Sequence, residues 1–248
     1  MASGSTDIAI LLAAGLWAGL QNALAGGGSF VTLPALMLIG LDARVANLTS
    51  TAALFPGQIT TALANRRLTG PVGATGFGLL LAVSLAGGAL GAWLLLRTPT
   101  ALFETLLPWL VLVATLLFAR GAFGGPIATR RLARGPVVSA HALVSVYGGY
   151  FGGGIGFLML ALFTLAGATV KAAQANKNAF AAAMNLAGAA VFAASGEVVW
   201  RAALVLGLAS MAGGYLGARM IAHVPDQAIK LLVVLIGLAL FAGLIWRG

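Results

Sequence analysis

Two sets of hydrogen-bonding side chains recur along this chain at one spacing. Asn47, Thr51 and Gln58 stand at i, i+4 and i+11, and Gln174, Asn178 and Asn185 repeat those steps 127 residues later. At about 100° per residue, each set falls within about 40° of one line on a helix. Ser50 and Lys177 lie beside these stripes at the turn they share, and Thr49 and Asn176 extend the polar clusters. Amides, hydroxyls and one ammonium on facing stripes point to a cavity for a polar or anionic solute. The alternative is interhelical hydrogen bonding. Bond-breaking chemistry lacks its parts. His141 and His223 are isolated, have no metal-ligand spacing, and read as interfacial. No Ser, His and Asp stand at triad spacing, no Walker A loop is present, and there is no cysteine. An enzyme is not expected, nor is a metal or cofactor.

The elements that carry these stripes are membrane helices. Of 248 residues, 60% are hydrophobic and 8% charged, against about 25% charged in soluble domains. Polar residues are too few to cover a core this large, so lipid must solvate much of the surface. The net charge of +9 gathers in short loops, as membrane topology requires. No basic stripe is interleaved with aromatics, so nucleic acid is not an expected partner. The first apolar run begins near Ile8 without a basic segment before it, and does not read as a cleaved signal peptide.

Apolar runs at about 44–65, 73–96, 101–119, 170–194, 199–220 and 226–246 are long enough to cross a bilayer. Two further regions, about 8–40 and 137–166, are cut by Gly26-Gly27-Gly28 and Gly152-Gly153-Gly154. Three successive glycines end a helix, and non-helical backbone inside a membrane must line protein or a water-filled cavity. The triplets are 126 residues apart, as are Gly87-Gly88-Ala89-Leu90-Gly91-Ala92 and Gly213-Gly214-Tyr215-Leu216-Gly217-Ala218, and also Pro99 and Pro225. Arg44 and Lys171 match at 127, as the polar stripes do. The small-residue spacings at Gly87, Gly91, Gly213 and Gly217 read as helix packing.

Two related halves follow: a first membrane repeat at 1–122, a basic cytoplasmic linker at 123–136 and a second membrane repeat at 137–248. If each broken region is a V-shaped hairpin, three full spans per half make the repeats inverted. With the N-terminus outside, Arg66, Arg67, Arg120, Arg130, Arg131, Arg134, Lys171, Arg219 and Lys230 lie inside, against Arg44, Arg97, Arg201 and Arg247 outside. Reading each broken region as a single crossing gives parallel repeats and a weaker inside bias. The expected fold is an all-α polytopic membrane protein of two inverted repeats, each a glycine-broken V-shaped helical hairpin plus three transmembrane helices.

The hairpin tips add an anion-binding element. The arms beginning at Ser29 and Ile155 present free N–H groups and the positive ends of helix dipoles. Gly27, Gly28, Gly153 and Gly154 let a ligand approach the backbone. Asn22, Ser29 and Thr32 add side chains in the first hairpin. The second departs from it, with Tyr147, Tyr150 and Phe151 nearby. Asp7, Asp42, Glu104, Glu197 and Asp226 all lie at or near span ends, so none is a clear midplane carboxylate. Lys177 lies about two turns into its span, where its charge attracts an anion or snorkels to a loop. Arg44 and Lys171 read as guards of the two entrances or as interfacial anchors.

The stretch from Gly19-Leu20-Gln21-Asn22 through Gly26-Gly27-Gly28-Ser29, followed by Pro34, Gly40-Leu41 and Ala46-Asn47-Leu48-Thr49-Ser50, resembles the TauE/SafE sulfite exporter family. Gly152-Gly153-Gly154-Ile155-Gly156 and Asn176-Lys177 repeat the pattern, and the resemblance covers nearly the whole chain. It implies a multi-pass transporter of sulfur-containing anions, such as sulfite, sulfonates or thiosulfate, in a bacterial inner membrane. The site expected from residues and resemblance together comprises Asn22, Gly27, Gly28, Ser29, Asn47, Ser50, Thr51, Asn176, Lys177 and Asn178 with Gly153 and Gly154. Gln58 and Asn185 lie deeper. Rocking of one half against the other near the midplane would alternate access. The expected partners are a small anionic substrate and the lipid bilayer; a coupling ion, H⁺ or Na⁺, and homo-oligomerisation stay open. A channel for small anions or neutral solutes, or a non-transporting membrane scaffold, are the alternatives.

Overall fold

The computed structural model describes residues 4–24, 26–123, 132–220 and 226–247. Most of the expected linker, with Arg130 and Arg131, lies outside the described residues, as do His223 and Pro225. The described residues form ten α-helices and one short 3-10 turn, without a strand. The first half contains α1 (Gly4–Leu24), α2 (Ser29–Leu38), α3 (Ala43–Ala64), α4 (Phe77–Arg97) and α5 (Thr100–Phe123). The second contains α6 (Arg134–Tyr150), α7 (Ile155–Leu165), α8 (Val170–Ser195), α9 (Trp200–Met220) and α10 (Asp226–Arg247).

Phe77–Arg97, Thr100–Arg120 and Val170–Ser195 are long and apolar enough to cross a bilayer. The outer surface carries Leu143, Leu204, Leu208 and Trp109, all more than half exposed. A surface this apolar is at home in lipid. The described residues are thus all helical or in the turns between helices, as a polytopic membrane protein requires.

Both glycine-rich regions are broken as expected. Gly26 and Gly27 take φ of 91° and 79°, and Gly152 and Gly154 take 79° and 76°. These are left-handed conformations that other residues seldom adopt, and they end α1 and α6. The arms that follow hold 10 and 11 residues, rising about 15 Å and 17 Å, half a bilayer. The extra residue in α7 accounts for the change of offset from 126 to 127. The offset holds at 127 through α3 and α8 and is 126 again at Gly87 and Gly213. Asp42 caps α3 by accepting from Val45 N, and Thr169 caps α8 by accepting from Ala172 N. α4 starts at Phe77, later than the apolar run suggests, because residues 72–75 form a small turn closed by Val72 and Thr75.

Close glycine contacts give the helix directions. Gly15 and Gly19 of α1 meet Leu206 and Ser210 of α9, and Gly207 of α9 meets Ala53 of α3 while Gly57 of α3 faces Ser210. α1, α3 and α9 therefore run parallel. By the same test α6, α4 and α8 run parallel: Gly87 and Gly91 of α4 meet Ser145 and Tyr150 of α6, and Gly88 meets Met184 of α8 while Gly188 of α8 faces Ala92. Segments 26–42 and 151–169 thus each return the chain to the side from which α1 or α6 set out. The close contacts at Gly87, Gly91, Gly213 and Gly217 are the packing seams expected of them.

Candidate functional site

The two breaks face each other. The ring of Phe157, on α7, lies 3.8 Å from where a Cβ on Gly26 would sit. The ring of Phe30, on α2, lies 2.9 Å from the corresponding point on Gly153. Phe30 and Phe157 are matched positions 127 apart, so each arm covers the other half's break.

A cavity of about 60 Å³ opens beside this crossing. That is room for about four waters or one small oxyanion. Its walls come from the end of α1 (Gly19, Asn22, Ala23), the breaks (Gly26, Gly27, Ser29, Gly152, Ile155, Gly156), α3 (Leu54, Gly57, Gln58, Thr61), α8 (Lys177, Asn178, Ala181) and α9 (Ser210, Gly214). Of the expected site residues, Asn22, Gly27, Ser29, Gln58, Lys177 and Asn178 line it.

The others stand outside the lining and are occupied in packing. Asn47 Nδ2 donates to Tyr150 O at 3.0 Å, tying α3 to the end of α6. The hydroxyls of Ser50 and Thr32 share a hydrogen bond of 2.5 Å between α3 and α2. Thr51 donates to its own helix at Asn47 O. Gly28 N donates to Asn22 Oδ1 at 2.7 Å, fastening the first tip. Asn176 Oδ1 accepts from Gly70 N at 3.0 Å, and its matched residue Thr49 accepts from Val199 N at 3.2 Å. Asn185 Nδ2 donates to Gln58 Oε1. That leaves Gln58 Nε2 as its remaining donor, while Asn185 itself is not in the wall. Gly153 and Gly154 are buried behind Phe151, Phe30 and Ala114.

Lys177 is 4% exposed. Among the described residues, no hydrogen bond or ion pair involves it and no carboxylate lines the cavity. Gly156 lies against its stem, 3.8 Å from Nζ when measured from a Cβ position. The ammonium thus sits beside the first turn of α7. The N–H groups of Ile155 and Gly156 have no partner among the described residues. A buried unpaired charge is costly, and an anion at about 4 Å gains about 4 kcal/mol at an effective dielectric constant near 20. Together the ammonium, the first-turn N–H groups, the Asn178 and Gln58 amides and the Ser29 hydroxyl form a donor-rich site suited to a small anion.

Sequence reasoning missed Gly19, Gly57, Thr61, Gly156, Ser210 and Gly214 as wall residues. Thr61 was within reach: it lies one turn beyond Gln58 on the same stripe. Ser210 sits on a helix whose sequence reads as packing alone, and only the crossing of α9 with α3 brings it in. Arg44 is neither a free guard nor a simple anchor. It pairs with Glu197 and donates to Leu96 O at 3.2 Å. His141 is not interfacial. It is fully buried, with Nε2 at 2.8 Å from Ser84 Oγ and its ring against Phe163 and Phe180. A lone histidine gives no periodic signal of which face it occupies, and the α4–α6 seam encloses this one.

Residues 11–244 match the sequence profile of a family described as Sulfite exporter TauE/SafE. A probable membrane transporter protein of Haemophilus influenzae is 30% identical over 244 residues, covering 96% of this chain and 94% of that protein. One from a Sinorhizobium species, ORF9, is 30% identical over 94% of this chain and 90% of its own length. The probable membrane transporter protein YfcA of Escherichia coli K12 is 27% identical over 96% of this chain and 90% of its own length. No solved structure matches the chain.

Proposed function

The chain belongs to the TauE/SafE sulfite exporter family of membrane transporters, and from that premise we propose that it is a secondary transporter, working as an exporter, of small sulfur-containing anions. Sulfite and organosulfonates are the proposed substrates, carried across a bacterial inner membrane by alternating access. One observation carries the reading: Lys177 is buried, has no acidic partner among the described residues, and faces a cavity walled by both glycine breaks. Such a charge calls for an anionic ligand.

The mechanism follows from two inverted repeats. Their support is the helix directions: α1, α3 and α9 are mutually parallel, as are α4, α6 and α8. The two sets run oppositely, since α3 and α8 meet through Thr49–Val199, Gln58–Asn185 and Gly70–Asn176, one number rising as the other falls. A unit related to its neighbour in this way can rock about the shared seam.

The cavity is displaced toward the end of α3 and the start of α8, where Arg66, Arg67 and Lys171 stand exposed. With the N-terminus outside, that side is the cytoplasm. The opposite side is fastened by Arg44–Glu197, Asn47–Tyr150 and Thr32–Ser50. The conformation is then inward-facing, with Lys177 loading its anion from the cytoplasm. None of Asp7, Asp42, Glu104 or Glu197 lines the cavity, so the site's charge logic rests on the lysine.

The test is uptake of labelled sulfite, thiosulfate, small sulfonates, chloride and acetate into proteoliposomes. Saturable transport of one sulfur anion, lost in Lys177→Ala, supports the carrier. Flux that rises with gradient without saturating points to a channel, and no flux from folded protein points to a scaffold.

A further inference from the structure

We infer that Gln21 and Tyr147 are positioning residues that hold the two glycine tips in their anion-binding orientation. The inference rests on the transport reading above. Gln21 Nε2 donates to Gly27 O at 3.1 Å, and Tyr147 OH donates to Gly153 O at 3.0 Å. Donor and acceptor are six residues apart in both cases. The donors are 126 residues apart, and so are the acceptors. Two chemically unlike side chains thus make the same bond at matched positions, to the carbonyl of the middle glycine of each triplet. Packing alone does not explain this. An amide and a phenol differ in size and shape, and share here a donor at the same place.

The bond answers a specific difficulty. A glycine tip inside a membrane has carbonyl groups with no helical partner, and each must be satisfied within the protein. An untied carbonyl is free to swing toward the cavity, where its partial negative charge opposes an anion. Tying it to a donor on the preceding helix turns it away and fixes the peptide planes that lead into the first turns of α2 and α7. Those turns supply Ser29, Ile155 and Gly156 to the cavity wall. Gln21 is 4% exposed and is itself held, its Oε1 accepting from Trp17 Nε1 at 3.1 Å. The tips differ in one respect. In the first, Gly28 N is tied as well, by Asn22. Position 148, which matches Asn22, is glycine. The second tip therefore depends more heavily on its single phenol.

The experiment compares wild type with Tyr147→Phe, Gln21→Met and Lys177→Ala in labelled-sulfite uptake into proteoliposomes. Hydrogen–deuterium exchange is followed over peptides spanning 24–31 and 150–157 in the purified full chain. Tyr147→Phe removes one oxygen and keeps the ring. The expected result is a KM for sulfite raised about fivefold to tenfold in each tip variant, from one hydrogen bond lost, with Vmax within about twofold. Exchange quickens at the tip concerned and not at the other. An unchanged KM in either variant overturns the inference while leaving the transport reading intact, provided wild type transports and Lys177→Ala does not. If wild type takes up no sulfite, the transport reading fails on its own, and unchanged exchange at the tips then overturns the anchoring as well. Should one variant fail to fold, the other decides.

Discussion

Asn185 donates a hydrogen bond to Gln58, the residue at its own matched position in the other half of the chain. The bond joins α3 to α8 along the seam where these two helices pack. Thr49–Val199 lies to one side of it and Asn176–Gly70 to the other. The wall of the cavity passes through Gln58, so the seam and the proposed site adjoin.

This pair is expected to show energetic coupling. Replacing either residue by leucine leaves a partly buried amide short of a partner, at a cost of about 1–3 kcal/mol. Gln58→Leu with Asn185→Leu together should cost less than the sum of the two. A double-mutant cycle on thermal unfolding in detergent should read a coupling of about 1 kcal/mol. Additive effects would show that the two side chains do not interact.

The fastening opposite the cavity makes a second prediction. Glu197→Gln weakens the tie to Arg44 and should shift the population toward the outward-facing form. The sequence has no cysteine, so single-cysteine variants carry no background. Ala46→Cys, at a fully buried position on the same end of α3 that makes none of these ties, should react slowly with an impermeant thiol reagent from outside, and at least about threefold faster when Glu197→Gln is added. Equal rates would show that this contact does not hold the outer side.

Glycine seams supply a third. A side chain on Gly91 would strike the backbone of Val146 and Tyr150, and one on Gly213 the backbone of Leu16. Gly91→Val and Gly213→Val should each cost about 1–3 kcal/mol or more. Gly78→Ala and Gly243→Ala, with nothing within 4 Å, should unfold like wild type. Melting curves of the four variants check this.

Much of this architecture could be read from the residues. The glycine triplets predict breaks because successive glycines cannot sustain a helix, and α1 and α6 end at them. The ordered match of Asn47, Thr51 and Gln58 with Gln174, Asn178 and Asn185 predicts paired helices, and α3 and α8 are packed together. Periodicity places these residues on an inward face but does not distinguish a cavity wall from a packed seam. Asn47 and Asn176 share the amide chemistry of Asn178, yet each is occupied by a backbone group more than a hundred residues away. The Gln21 and Tyr147 match escaped notice because repeat matching by residue type cannot see an amide and a phenol as equivalents. Only the shared acceptor position reveals them.

Every proposed step depends on the charge of Lys177 holding the transported anion. Labelled sulfite uptake into proteoliposomes, wild type against Lys177→Ala, tests it most directly. The expected result is saturable uptake in wild type and at least a tenfold loss of Vmax/KM in the variant, from folded protein with an unchanged melting profile. Equal uptake by the two proteins would contradict it.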